Sequence, residues 1–153
     1  MVSPGDLAPD IESKTSTGEP FRLSDLRGQK NVVLFFYPGD FTPVCTKEAC
    51  GFQDIYAELR SRDTEVVGIS DDSHESHQKF AKAYSLGFPL LSDPNHELAK
   101  QYGATNLLTT VLGRVSRATF VIDKSGRVAA VIKAQLSAGA HLAGVKDALA
   151  KLK

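Results

Sequence analysis

The run Asn31-Val-Val-Leu-Phe-Phe-Tyr37 constrains this chain more than any other segment. It is continuously apolar, favours the β conformation, shows no polar alternation, and stops at a loop bounded by Pro38 and Pro43. A strand of that kind is covered on both faces, which happens when helices flank a largely parallel sheet. Behind the loop the period changes. Ala49, Phe52, Ile55, Tyr56 and Leu59 recur at helical spacing, so residues 45 to 62 are expected to form an amphipathic helix.

The same alternation of elements continues. Glu65-Val-Val-Gly-Ile-Ser70 reads as a second buried strand, and Asp72-Ser73-His74-Glu75 offers N-cap chemistry for a helix to about Leu86 with Phe80, Ala83 and Tyr84 on its apolar side. A short strand at Phe88 to Leu91 and a helix near Asn95 to Tyr102 follow. Strands Ala118 to Ile122 and Val128 to Ile132 flank Asp123-Lys-Ser-Gly126, a hairpin turn by composition, and a helix from about Ala140 to Leu152 closes the chain. The first 30 residues suggest a small hairpin around Thr17-Gly18-Glu19-Pro20 and a short turn from Leu23 to Leu26. This order is that of an α/β three-layer sandwich around a central mixed sheet with an N-terminal hairpin, as in thioredoxin-like folds. With 153 residues, 42% of them hydrophobic, and no repeat or linker tract, the whole of residues 1–153 is expected to be one domain.

Charge narrows the partners. Lys+Arg and Asp+Glu are 18 each, so the net charge is zero and no overall positive field awaits a phosphate backbone; nucleic acid is not expected. The longest strongly apolar stretch, Val32 to Tyr37, falls far short of the roughly 20 residues that cross a bilayer, so no membrane partner is expected. The opening MVSPGDLAPD lacks an apolar core and is not read as a signal peptide. Two cysteines, Cys45 and Cys50, and no Asn-x-Ser/Thr sequon favour a reducing compartment. The cytoplasm is the expected location, with a plastid as the alternative should a transit peptide have been removed.

Cys45 falls at the start of the helix behind the Pro38–Pro43 loop, where unpaired N–H groups and the helix dipole favour a thiolate. In open α/β sheets, ligands bind at that edge of the sheet. On an ideal wheel Cys45 lies inside the apolar stripe, and Cys50 lies about 140° around from it on the polar side. Spacing alone leaves two readings open: a reactive thiol, or a small buried apolar side chain with a neutral surface neighbour. Cys-x4-Cys is neither the redox Cys-x-x-Cys pattern nor half of a zinc site.

The segment Phe36-Tyr-Pro38-Gly-Asp-Phe-Thr42-Pro-Val-Cys45-Thr-Lys-Glu48-Ala-Cys50 closely resembles the active-site signature of the peroxiredoxins, in particular their Q-type, or bacterioferritin comigratory protein, subfamily. The resemblance extends through GDLAPD, GISDDSHESHQKFAKAY, FPLLSDP and RATFVIDKSG, nearly the whole chain. It implies a cofactor-free, thiol-dependent peroxidase acting on hydrogen peroxide and alkyl hydroperoxides. Cys45 matches the peroxidatic cysteine, which becomes a sulfenic acid, and Cys50 matches the resolving cysteine. Thr42 matches the hydroxyl that orients the peroxide, Pro38 the residue that shields the sulfur, and Arg117 the arginine that stabilises the thiolate and the leaving oxygen. The disulfide would be reopened by thioredoxin or a similar dithiol, and the chain would act as a monomer or weak dimer. Gly39 and Val44 depart from residues frequent in relatives, but neither replaces a reacting group. A peroxide sensor or relay that passes oxidation to a partner is the alternative function.

Physics supports the arginine independently. Burial disfavours a charged sulfur, so an inward thiolate needs a fixed cation, and a guanidinium forks to hold sulfur and a peroxide oxygen at once. Arg114 competes with Arg117, and Arg117 is preferred because it opens a strand. Glu48 lies near the Cys45 face and would oppose a thiolate unless it pairs with an arginine; its expected part is to orient that arginine. In an ideal helix Cys45 and Cys50 have Cα atoms roughly 8.6 Å apart. A disulfide needs about 7 Å or less, so the helix start must unwind before the bond forms.

Other groups are set aside. His74 and His77 with Asp71, Asp72 and Glu75 read as a solvated helix start rather than a metal site, and His96 and His141 as surface or capping residues. No metal is expected. No Gly-x-Ser-x-Gly elbow and no Gly-x-Gly-x-x-Gly loop is present.

Overall fold

A computed structural model describes residues 2–105, 116–133 and 138–152. A five-stranded sheet runs in the spatial order Leu90–Ser92 (β5), Thr64–Ser70 (β4), Asn31–Phe36 (β3), Ala118–Ile122 (β6) and Val128–Ile132 (β7). β3 pairs in parallel with β4, and β4 with β5, because a helix returns the chain each time: α1 (Pro43–Ser61), then α2 (His74–Tyr84). β6 pairs antiparallel with both β3 and β7. The sheet is therefore mixed, as the fold class requires. β6 and β7 are joined at Asp123–Gly126, where Gly126 takes φ +84 and its N–H donates to the Asp123 carbonyl at 3.0 Å. α3 (Glu97–Tyr102) and α4 (Ala138–Lys151) complete the helices described. The N-terminal hairpin is β1 (Glu12–Lys14) against β2 (Pro20–Arg22), followed by a 3-10 turn at Leu23–Leu26.

β3 is buried at all six positions, and its alternation feeds two cores. Val32, Leu34 and Phe36 face the N-terminal segment, the 3-10 turn and α3, through Ile11, Leu23 and Tyr102. Val33 and Phe35 face α1, α2 and α4, through Phe52, Phe80 and Val145. That gives helix, sheet and helix, three layers. Gly68 of β4 marks a close approach within the core: a Cβ there would sit 2.7 Å from Leu90 Cδ2 and 2.8 Å from Phe35 Cζ.

Two boundaries differ from expectation for a local chemical reason. β5 begins at Leu90 rather than Phe88, because Pro89 has no N–H and offers only its carbonyl, to Gly68 at 3.1 Å. α2 ends at Tyr84, where Ser85 turns to φ +53 and the Leu86 N–H closes back on the Ala81 carbonyl at 2.9 Å. Its inward face is His77 and Phe80; Ala83 and Tyr84 are exposed. Among the described residues no helix is long and apolar enough to cross a membrane.

Candidate active site

Thr42 is the N-cap of α1 in an extended conformation, and Pro43 fills the first helical position, where its missing N–H costs nothing. Cys45 therefore lies in the first turn, whose N–H groups have no intrahelical partner. Its side chain is 1% exposed, packed in the core with Ala49 and Phe52. The wheel's inward placement of Cys45 is what the structure has. Pro38 and Thr42 are half-buried on the loop before it, and the Thr42 hydroxyl donates to the Gly39 carbonyl at 2.9 Å. That commits its proton and leaves its lone pairs to accept.

The register of β3 with β6 brings in the cation. Phe36 pairs with Ala118, so Arg117, one residue before β6, stands beside the exit of β3 and the loop that opens α1. Its guanidinium is buried and forks: Nη2 donates to Cys45 Sγ at 2.9 Å and Nη1 to Glu48 Oε1 at 2.7 Å. Glu48 does pair with an arginine, and that arginine is Arg117. Burial pushes the Glu48 carboxyl up to about 7, against the opposing pull of Arg117. Its second oxygen, Oε2, has no hydrogen-bond partner among the described residues and lies 3.4 Å from His141 Nδ1. One guanidinium thus donates to both the Cys45 sulfur and the Glu48 carboxyl group. Arg114 lies outside the described residues.

Cys50 is not brought to Cys45. Both thiols are free and sit in one unbroken helix, Cys45 buried and Cys50 half-buried. The Cys50 thiol is pushed up by burial and, second, by the Asp54 carboxylate.

Two histidines differ from the sequence reading. His141 is fully buried on α4, with Nδ1 2.7 Å from the Thr119 hydroxyl of β6 as well as near Glu48. It is neither a surface nor a capping residue, because α4 buries the stripe His141, Val145, Ala148 and Leu149. That i, i+4, i+7, i+8 spacing was the available signal. His77 is fully buried too, paired with Asp40 at 2.8 Å, and is no part of a solvated face. Asp40, Asp72 and His77 bring their ligand atoms within 4.8 Å of one another. Hydrogen bonds from Ser70, Ser76 and Tyr37 already occupy the two carboxylates.

A free, buried thiol at a helix start on a thioredoxin-like scaffold, with an arginine on its sulfur, is the arrangement that the class of thiol peroxidases requires. Residues 4–131 match the model of the AhpC/TSA family. The chain is 42% identical over 153 residues to a chloroplastic peroxiredoxin Q of Sedum lineare, covering 99% of this chain and 80% of that one. It is 43% identical over 128 residues to peroxiredoxin Bcp of Bacillus subtilis, covering 81% and 80%. Among solved structures, peroxidoxin BcpB of Mycobacterium tuberculosis superposes with a TM-score of 0.90 at 39% identity, over 100% of this chain and 99% of the other. The bacterioferritin comigratory protein of Xanthomonas campestris, described with alkyl peroxide reduction activity, superposes at 0.84 and 25% identity, over 98% and 96%. The chain belongs to the AhpC/TSA family of peroxiredoxins, in its Q/Bcp branch. It is a peroxidase that reduces peroxides at a cysteine thiol and is re-reduced by a thiol donor.

Proposed function

We propose that Cys45 is the peroxidatic thiol, that Cys50 resolves it, and that thioredoxin or a similar dithiol restores both. The observation that carries this reading is the Arg117 guanidinium lying 2.9 Å from Cys45 Sγ. The thiolate attacks the distal peroxide oxygen; an S–O bond forms, the O–O bond breaks, and the leaving alkoxide or hydroxide takes a proton to become alcohol or water. Arg117 offsets the negative charge on sulfur and on the leaving oxygen, Thr42 orients the peroxide, and Pro38 limits water at the sulfur. Glu48 orients Arg117. The Cys50 thiol then attacks the sulfenic sulfur, forms the disulfide and releases water. Cys50 is a poor nucleophile where it stands, so unwinding of the first turns of α1 both shortens the gap and frees it from burial.

Hydrogen peroxide and alkyl hydroperoxides are the substrates on this reading. Residues 1–153 act as one domain, as a monomer or weak dimer, in the cytoplasm, or in a plastid if a leader has been removed. Intact mass after one equivalent of peroxide, with and without thioredoxin, tests the cycle. Cys45→Ser should abolish peroxide consumption; appreciable thioredoxin-coupled turnover in that variant would show that the nucleophile is another group.

A further inference from the structure

The loop from Pro38 to Thr42 is held through one residue. The Asp40 side chain, 1% exposed, accepts from the Tyr37 hydroxyl at 2.7 Å and the Ser76 hydroxyl at 2.8 Å, and lies 2.8 Å from His77 Nδ1. Its backbone N–H donates to Asp72 Oδ2 at 2.8 Å. His77 Nε2 lies 3.0 Å from the Leu91 carbonyl. A carbonyl only accepts, so Nε2 carries a hydrogen. Asp40 already receives two hydroxyl donors, and the His77 Nδ1 contact is a third polar contact on its carboxyl group. His77 therefore ties the Asp40 carboxyl to the backbone of β5, and Tyr37 and Asp72 also lie beside it.

The next residue explains why so strong an anchor is built there. Phe41 stands at φ +64, a left-handed conformation that a bulky side chain does not choose for itself. Such a conformation persists only where its surroundings over-determine it. Asp40 supplies that on one side, and on the other the Phe41 ring packs edge-on against Phe80 at 5.2 Å while remaining 51% exposed. Thr42 follows directly.

We propose that His77 is a positioning residue for the peroxidase reaction, holding Asp40 and through it the Pro38–Thr42 loop in the conformation that presents Thr42 and Pro38 to the Cys45 sulfur. The inference rests on the reading of Cys45 and Thr42 above. Without the anchor, Phe41 relaxes toward negative φ and carries Thr42 with it, while Cys45, Arg117 and Glu48 stay in place on α1 and at the start of β6.

The test compares two rates on the reduced full-length chain: oxidation of Cys45 by hydrogen peroxide and its alkylation by iodoacetamide, which needs the thiol but not the loop. His77→Leu should lower the peroxide rate about tenfold or more, the factor for leaving a buried polar group without its partner. Alkylation should change by less than about twofold. His77→Asn, which restores a polar partner to Asp40, should recover most of the loss. Phe41→Asn added to His77→Leu should recover part of it, because Asn tolerates the left-handed region. Ser76→Ala removes a single donor from Asp40 in a half-buried position, and should slow the peroxide step alone to a smaller degree. A folded His77→Leu with a wild-type peroxide rate, or peroxide and alkylation rates falling together, would overturn the proposal. If His77→Leu does not fold, an unaltered peroxide rate in Ser76→Ala does the same. Cys45→Ser is run alongside: if it still consumes peroxide, the reading of the thiol fails, whatever the His77 variants do.

Discussion

Replacing Glu48 with glutamine should make the stability of the reduced protein markedly less dependent on pH between about 4.5 and 7. The carboxyl is raised from 4.5 to about 7 by burial, which outweighs the attraction of Arg117. The folded state therefore holds this proton through a window in which the unfolded chain has released it. Stability is fully present below the unfolded value, declines as pH rises toward 7, and stays at the lower level above it. At about 1.4 kcal/mol per pH unit the decline amounts to roughly 3 kcal/mol. Glutamine fills the same space, keeps an oxygen for Arg117 Nη1, and cannot ionise. The gap between Glu48→Gln and the parent chain should thus widen by roughly 3 kcal/mol in favour of the variant across that window. Urea midpoints with equal slopes, measured at several pH values on the reduced protein, read it directly. Parallel curves would mean that Glu48 is not buried as a high-affinity proton site. A gap that moves in the opposite direction would mean that attraction to Arg117 outweighs burial, and the account of this pair would be wrong in sign. The same competition bears on chemistry, because an anionic Glu48 shares with Cys45 a guanidinium that a neutral Glu48 leaves largely to the sulfur.

Arg117→Ala should slow Cys45 oxidation by an amount equivalent to about 2 to 4 kcal/mol, as for the loss of one charge-assisted donor at a site where charge develops. Stopped-flow oxidation checks this, and a rate near that of the parent chain would remove Arg117 from the mechanism. Hydrogen exchange over residues 43 to 53 should be slow in the reduced protein and fast in the disulfide form, with β3 little changed; a mapped Cys45–Cys50 disulfide with α1 equally protected in both states would defeat the unwinding argument. Cys50→Ser should keep the first oxidation, accumulate sulfenic acid, lose thioredoxin-driven turnover and over-oxidise more readily, all visible by intact mass. Gly68→Ala should cost on the order of 1 to 3 kcal/mol in denaturation, because the added methyl meets Leu90 and Phe35 in a packed core; no loss of stability would show that this approach is looser than described.

Local period and turn chemistry determined most of the architecture from the sequence alone. β3 follows from an unbroken apolar run, α1 from the spacing of Ala49, Phe52, Tyr56 and Leu59, and β6 and β7 from two runs around Asp123–Gly126. The inward direction of Cys45 follows from the same helical arithmetic. Each of these depends on neighbours within about one or two turns of chain, which is the range over which a repeat pattern carries information. The charge arrangement does not. Glu48 and Arg117 are 69 residues apart, and their meeting depends on the pairing of Phe36 with Ala118. His77 and Asp40 are 37 residues apart, and His141 and Thr119 are 22 apart. A polar side chain at a helix start is ordinarily solvated, and these histidines are buried only because partners from distant strands and loops satisfy both the ring and the space around it. The sequence by itself determined the layers and the place of the thiol; which carboxylate meets which cation, and so how the charge on that thiol is shared, was decided by strand register and helix docking, which couple positions that no local pattern connects.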